Sequence, residues 1–138
     1  MSQRYKVIDI TEPTFVTITV IDWVDLFVRP IYFKILDDSL NYYIENKGLN
    51  VHAYVYMSSH TYIISSYDNE LQDIIRDFKK YTYKEFVKAI KAYPESRREW
   101  LLAKFSYAAK RIKKGPNYKV WKDGFHPVIL DNHKKAVY

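Results

Sequence analysis

Between Asn50 and Ser66 the chain carries two runs rich in β-branched and aromatic residues, NVHAYVYM (50–57) and HTYIIS (60–65), separated only by Ser58-Ser59. Two strands joined so closely form an antiparallel hairpin. Strict alternation puts Val51, Ala53, Val55 and Met57 on one face of the first strand and His52 on the other. A hairpin alone is at best marginally stable in water, so other elements must pack against it.

The flanking sequence supplies them. Pro13 precedes TFVTITVI (14–21), which reads as a strand. Pro30 sits at a first helical position, Ile31, Ile35, Leu36, Leu40, Tyr43 and Ile44 recur at helical spacing, and Gly48 is the natural stop. After the hairpin, Leu71, Ile74, Ile75 and Phe78 mark an amphipathic helix with Arg76, Lys79 and Lys80 on its other side. Thr82-x-x-Glu85 and Ser96-x-x-Glu99 have the form of capping boxes, which predicts a kink or two further helices before a helical segment from Trp100 to about Lys113. Gly115-Pro116-Asn117 makes a turn, and YKVW (118–121) and HPVIL (126–130) are short extended segments. The order β-α-β-β-α with late strands is that of an α+β domain. The expected fold is a ferredoxin-like or RRM-like antiparallel sheet with helices on one face and extra helices in the C-terminal half. Residues 1–138 are expected to form this single domain.

Composition narrows the function classes. The chain has no cysteine, which excludes disulfides and thiolate metal sites and leaves histidine, carboxylate or amide groups as metal ligands. No apolar run approaches the roughly 20 residues of a membrane helix, so no membrane association and a cytoplasmic location are expected. The net charge of +6 hides an asymmetry: residues 1–70 hold five Lys/Arg and nine Asp/Glu, residues 71–138 seventeen and seven. The basic half is a candidate surface for a polyanion, and the lysines could equally be a solvated helical face. Arg76, Lys79, Lys80, Lys84, Arg97 and Arg98 are candidate phosphate contacts, and Tyr83 and Trp121 candidate base-stacking rings.

Three stretches in order, VHAYVYMSSHTYII (51–64), LQDIIRDFKKYTYKEF (71–86) and VWKDGFHPVIL (120–130), resemble the REP-associated tyrosine transposases, HUH-type single-strand DNA transposases. The first is similar to the family's hairpin that ends in His, a hydrophobic residue and His. The second is similar to its basic helix, and the third to the Trp-containing stretch ahead of its nucleophile helix. The resemblance implies binding of single-stranded or hairpin DNA, cleavage by a tyrosine that becomes linked to DNA, a Mg²⁺ or Mn²⁺ ion on two histidines, and a possible homodimer.

At the motif this chain reads His60-Thr61-Tyr62. Residues i and i+2 of a strand share a face, which is why two histidines at that spacing can grip one ion. Here His60 is the first ligand and Tyr62 stands at the second, where a neutral phenol is a poor partner for a hard divalent cation. Weak metal binding and impaired cleavage are expected. By the same alignment the family's nucleophile falls roughly four residues, about one helical turn, past Tyr138, so Tyr138 is the candidate nucleophile only with a shortened connection. The alternative reading is a non-catalytic RRM-like nucleic-acid-binding module, in which aromatic residues matter more than His60.

Overall fold

The computed structural model describes residues 12–112 and 115–130. In chain order these form β1 (Thr14–Thr19), α1 (Pro30–Lys47), β2 (Asn50–Tyr56), β3 (His60–Ser66), α2 (Leu71–Ala92), α3 (Arg98–Lys110) and β4 (Val128–Ile129). The strands make one sheet in the order β2-β3-β1-β4, with every neighbouring pair antiparallel. This is the expected α+β arrangement, with α1 and α2 covering one face of the sheet.

The covered face is where the core sits. Val16 and Ile18 of β1 and Ile63 of β3 point into it and are essentially inaccessible. From α1 they meet Tyr32, Leu36, Leu40 and Tyr43, a stripe at helical spacing. Burial of each such aliphatic side chain contributes about 1.5–3 kcal/mol, which makes this layer the main driving force for the fold. Pro30 begins α1 as expected, and Gly48 closes it at φ 76°, in the left-handed region that glycine enters without steric cost, with its N–H donated to the Tyr43 carbonyl. Ile44 departs from the expected stripe: it is 40% exposed, and Tyr32 occupies the inner position instead.

Two expectations about local structure are corrected. Thr82 is not a helix cap, and α2 runs unbroken from Leu71 to Ala92. Thr82 lies fully buried in its inner stripe between Phe78 and Phe86, donating its hydroxyl to the Phe78 carbonyl at 2.7 Å and accepting the Trp121 indole N–H at 2.8 Å. A residue inside a helix that bonds the i−4 carbonyl mimics the sequence of a cap without its role. Ser96 likewise does not cap α3, whose side-chain-free N-cap is Arg97. Its hydroxyl instead accepts a 3.0 Å bond from Arg29.

The third correction concerns sidedness. A register shift between Val51 and Ala53 interrupts the β2–β3 ladder, so that Val51 pairs with Ser65 but Ala53 with Ile64. The bulge at His52 reverses the alternation that the sequence implies. Tyr54 and Tyr56 therefore turn to the helical side, where Tyr56 stacks on Phe33 and donates its hydroxyl to Asp37 at 2.7 Å. Burial and that carboxylate push the Tyr56 phenol well above its ordinary pKa. Ala53 and Val55 turn to the other face of the sheet, away from α1 and α2, where Val55 pairs with Tyr62.

Candidate functional site

The face of the sheet opposite α1 and α2 carries His60 and Tyr62 of the His60-Thr61-Tyr62 motif. Alternation along β3 sends Thr61 into the core, fully buried, and leaves His60 and Tyr62 side by side outside, with ring centroids 4.9 Å apart and an edge-on angle of 72°. Phe15, diagonally across on β1, lies parallel to Tyr62 at 5.5 Å. Beyond His60 lies the Trp23 indole, with ring centroids 5.3 Å apart and an interplanar angle of 76°. His60 Nδ1 is 3.0 Å from the Ser59 hydroxyl.

These side chains do not fit a divalent cation. A hard ion takes several oxygen or nitrogen donors, and among the described residues no group of three or more His, Asp or Glu side chains could hold one. Of the ligands that the motif predicts, His60 alone is present, with one ring nitrogen on Ser59 and aromatic rings on two sides. Thr61 adds a cost of its own: its buried hydroxyl has no hydrogen-bond partner among the described residues. Tyr138, the candidate nucleophile, lies outside the described residues.

The basic residues divide into two groups. Arg97 and Arg98 are committed to the fold. Arg97 holds both carboxylate oxygens of Glu95 and the Asp25 carbonyl, while Arg98 donates to the carbonyls of Ile90 and Tyr93 at the end of α2. Glu95 itself is buried and also takes Arg29 at 3.0 Å and the Tyr32 hydroxyl at 2.7 Å. Burial opposes its ionisation, but the bonds from Arg97, Arg29 and Tyr32 outweigh that and hold the carboxyl well below the usual range. Lys79 is anchored as well, donating to the carbonyls of Lys122 and Gly124 at 2.8 and 2.7 Å. Burial pushes its ammonium down to about 8, partly offset by Asp123. Trp121 is core: its ring is 5% exposed and packed against Phe27, Phe78 and Phe86, so no face is open to a base.

The second group faces solvent. Arg76, Lys80 and Tyr83 recur along one side of α2 and line a groove of about 480 Å³, whose opposite wall is the segment from Pro116 to Phe125. Lys119 projects from that wall, paired at 2.7 Å with Asp123. Among the described residues the groove is lined by the cationic side chains of Arg76, Lys79, Lys80 and Lys119 and by the carboxylate of Asp123. Arg76 also bonds Asp73 and Asp77 on its own helix, both exposed pairs that are easily exchanged for another anion. Lys84, one turn beyond Lys80, is exposed and continues the row. The basic periodicity of α2 was legible in sequence; the groove wall was not, because Lys119 and Tyr118 meet α2 only through the tertiary fold.

Sequence reasoning also missed Trp23. The chain leaves β1 through a tight 3-10 turn at Ile21–Trp23, in which Asp22 and Trp23 take φ values of 54° and 56°. Consecutive left-handed residues without glycine have no simple sequence signal.

No family model matches the chain, and no curated protein matches it. Among solved structures, the chain superposes on a REP-associated tyrosine transposase bound to a REP hairpin with a TM-score of 0.59 and 14% identity. The match covers 94% of this chain and 62% of the transposase, so the chain spans less than two thirds of that protein's length. A protein from Deinococcus radiodurans R1 assigned as a transposase matches with a TM-score of 0.57 and 12% identity, over 96% of this chain and 85% of its own. Among the described residues, no helix is long and apolar enough to cross a membrane. The chain thus has the fold seen in a REP-associated tyrosine transposase, a transposase-like α+β domain.

Proposed function

We propose that this chain is a hairpin- and single-stranded-DNA-binding protein of the HUH tyrosine transposase family in which strand cleavage is impaired. The observation that carries the DNA-binding half is the groove along α2, where Arg76 and Lys80 face solvent beside Tyr83 while Lys79 is tied to carbonyls and Lys119 to Asp123. Phosphates neutralised there release counterions, so binding must weaken steeply with salt. Arg76, Lys80 and Lys84 are the phosphate contacts, and Tyr83 is the ring placed to meet a sugar or base. Support for the choice of DNA comes from the fold shared with a transposase whose structure holds a REP hairpin. The impaired half rests on Tyr62, which stands beside His60 where the resemblance implies a second histidine.

The test is fluorescence anisotropy with a labelled DNA hairpin over a salt series. Wild-type protein is expected to bind, and Arg76→Ala with Lys80→Ala to weaken binding about tenfold or more while lowering the salt slope by roughly 1.4–1.8. A slope unchanged in the double variant would remove the groove from the interface. Incubation of hairpin DNA with Mn²⁺ is expected to give no covalent protein–DNA adduct. An adduct that vanishes in Tyr138→Phe would refute the impairment. The RRM-like alternative is favoured by the aromatic residues of the sheet face opposite α1 and α2, which bear on how unpaired DNA is held.

A further inference from the structure

Along one side of α3 stand four residues that neither the core nor the groove uses. Trp100, Lys104, Tyr107 and Arg111 recur at helical spacing and form one stripe, with Arg111 as the C-cap residue, still in helical geometry. The inner side of the same helix is made by Leu101, Phe105, Ala108 and Ala109, all buried. Trp100 and Tyr107 are 54% and 63% exposed, so packing does not account for them. Each instead supports a cation. The Lys104 ammonium lies 6.0 Å from the centre of the Trp100 ring, and the Arg111 guanidinium 5.2 Å from that of Tyr107.

Contact with a ring face positions a cation without occupying its N–H donors. Arg97 and Arg98, by contrast, give theirs to Glu95 and to backbone carbonyls. Among the described residues, the carboxylate that approaches the stripe is Asp22, 3.6 Å from Lys104 and 3.9 Å from Arg111. Both contacts are longer than a hydrogen bond and readily exchanged for another anion. Charge over the whole segment points to a polyanion: residues 97–114 hold seven Lys/Arg and one acidic residue, Glu99. Glu99 lies about 100° round the helix from Trp100, off the stripe. Lys104 and Arg111 are about 10 Å apart along the axis, the rise of about three nucleotides in one strand of duplex DNA. Each ring has one face taken by its own cation, which suits a phosphate backbone better than stacked bases. None of the four residues lines the α2 groove, although Lys119 N–H ties the groove wall to the Phe105 carbonyl of α3 at 3.0 Å.

We propose that the stripe of α3 is a second DNA contact, in which Lys104 and Arg111 take the phosphate backbone of duplex DNA and Trp100 and Tyr107 hold those cations in place. It rests on the reading of this chain as a DNA-binding protein and is separate from the groove. A contact made only to phosphates reads no sequence, so it adds affinity for any duplex adjoining the DNA held in the groove.

The test is fluorescence anisotropy over a salt series with two probes, a DNA hairpin and a blunt duplex of about 20 base pairs without a loop. Lys104→Ala with Arg111→Ala is expected to weaken duplex binding about tenfold or more and to lower its salt slope by roughly 1.8, while Arg76→Ala with Lys80→Ala leaves the duplex within about twofold. Tyr107→Leu keeps every charge and is expected to weaken the duplex roughly 2- to 5-fold with the slope unchanged, which a loss of phosphate contacts would not give. Asp22→Asn removes the competing carboxylate at a backbone position, φ 54°, that asparagine tolerates, and is expected to tighten duplex binding about twofold. That gain keeps the test decisive if a thermal melt shows the double variant of α3 to be poorly folded. If the hairpin binds but the duplex does not, or if duplex binding is lost with the groove residues and kept without Lys104 and Arg111, the stripe is wrong and the groove stands. Unchanged or weaker duplex binding by Asp22→Asn would also overturn the stripe. If neither probe binds, both readings fall.

Discussion

Trp121 and Trp23 lie at the two sides of the same sheet and obey different rules. Trp121 is sealed among Phe27, Phe78 and Phe86, with its N–H given to Thr82. Trp23 stands largely in water on a left-handed backbone, and its aromatic partner is the ring of His60. On the covered side, packing accounts for almost every large side chain. On the side opposite α1 and α2 the rings are positioned by the turn and the strand register, with stability left over from elsewhere. The same division splits the basic residues: Lys79, Arg97 and Arg98 are tied to carbonyls or to Glu95, whereas Arg76, Lys80 and Lys84 face solvent. Charge and aromaticity in the sequence therefore overcount the residues available to a ligand.

That contrast is open to attack by mutation. Trp121→Ala should cost about 3–5 kcal/mol in urea-induced unfolding, because it opens a cavity among three aromatic rings and removes the indole N–H bond to Thr82. Glu95→Gln should follow at about 2 kcal/mol, reduced from the value for a sealed ion pair because Arg29 and Arg97 remain partly in water. Its pH signature has a definite sign. The folded-state pKa is depressed, so the unfolded chain takes up the proton first as pH falls. The stabilisation is fully present above the ordinary glutamate pKa and is lost progressively below it, and a wild-type acid unfolding curve should show a limb that Glu95→Gln flattens.

Smaller effects probe the motif strand. Thr61→Val keeps the shape while removing a buried hydroxyl that lacks a partner among the described residues, and should raise stability by about 1 kcal/mol in thermal unfolding. A loss instead would mean that the hydroxyl is satisfied. Tyr62→His should change stability by less than about 0.5 kcal/mol, since the ring stands outside the core. It should nevertheless raise Mn²⁺ affinity measured by paramagnetic line broadening, because two imidazoles would then share a face. If Tyr62→His destabilised as strongly as Trp121→Ala, the two sides of the sheet would not differ as described.

The hairpin at 50–66, the helix from Pro30 to Gly48 and the apolar stripe of α2 follow from the sequence alone, because period-2 and period-3.6 patterns and the Pro and Gly signals are local. So does the placement of His60 and Tyr62 on one face, which needs only the alternation of β3. The fate of Thr82 was not local: its apparent capping box is cancelled by a bond to an indole 39 residues away. The bulge at His52 likewise depends on how β2 fits β3, and it decides which side Tyr54, Val55 and Tyr56 occupy. What sequence by itself determined was the set of elements and the residue standing at each motif position. Tertiary structure alone decided which cations and rings remain exposed, because hydrogen-bond partners and neighbouring rings are supplied by segments distant in the chain.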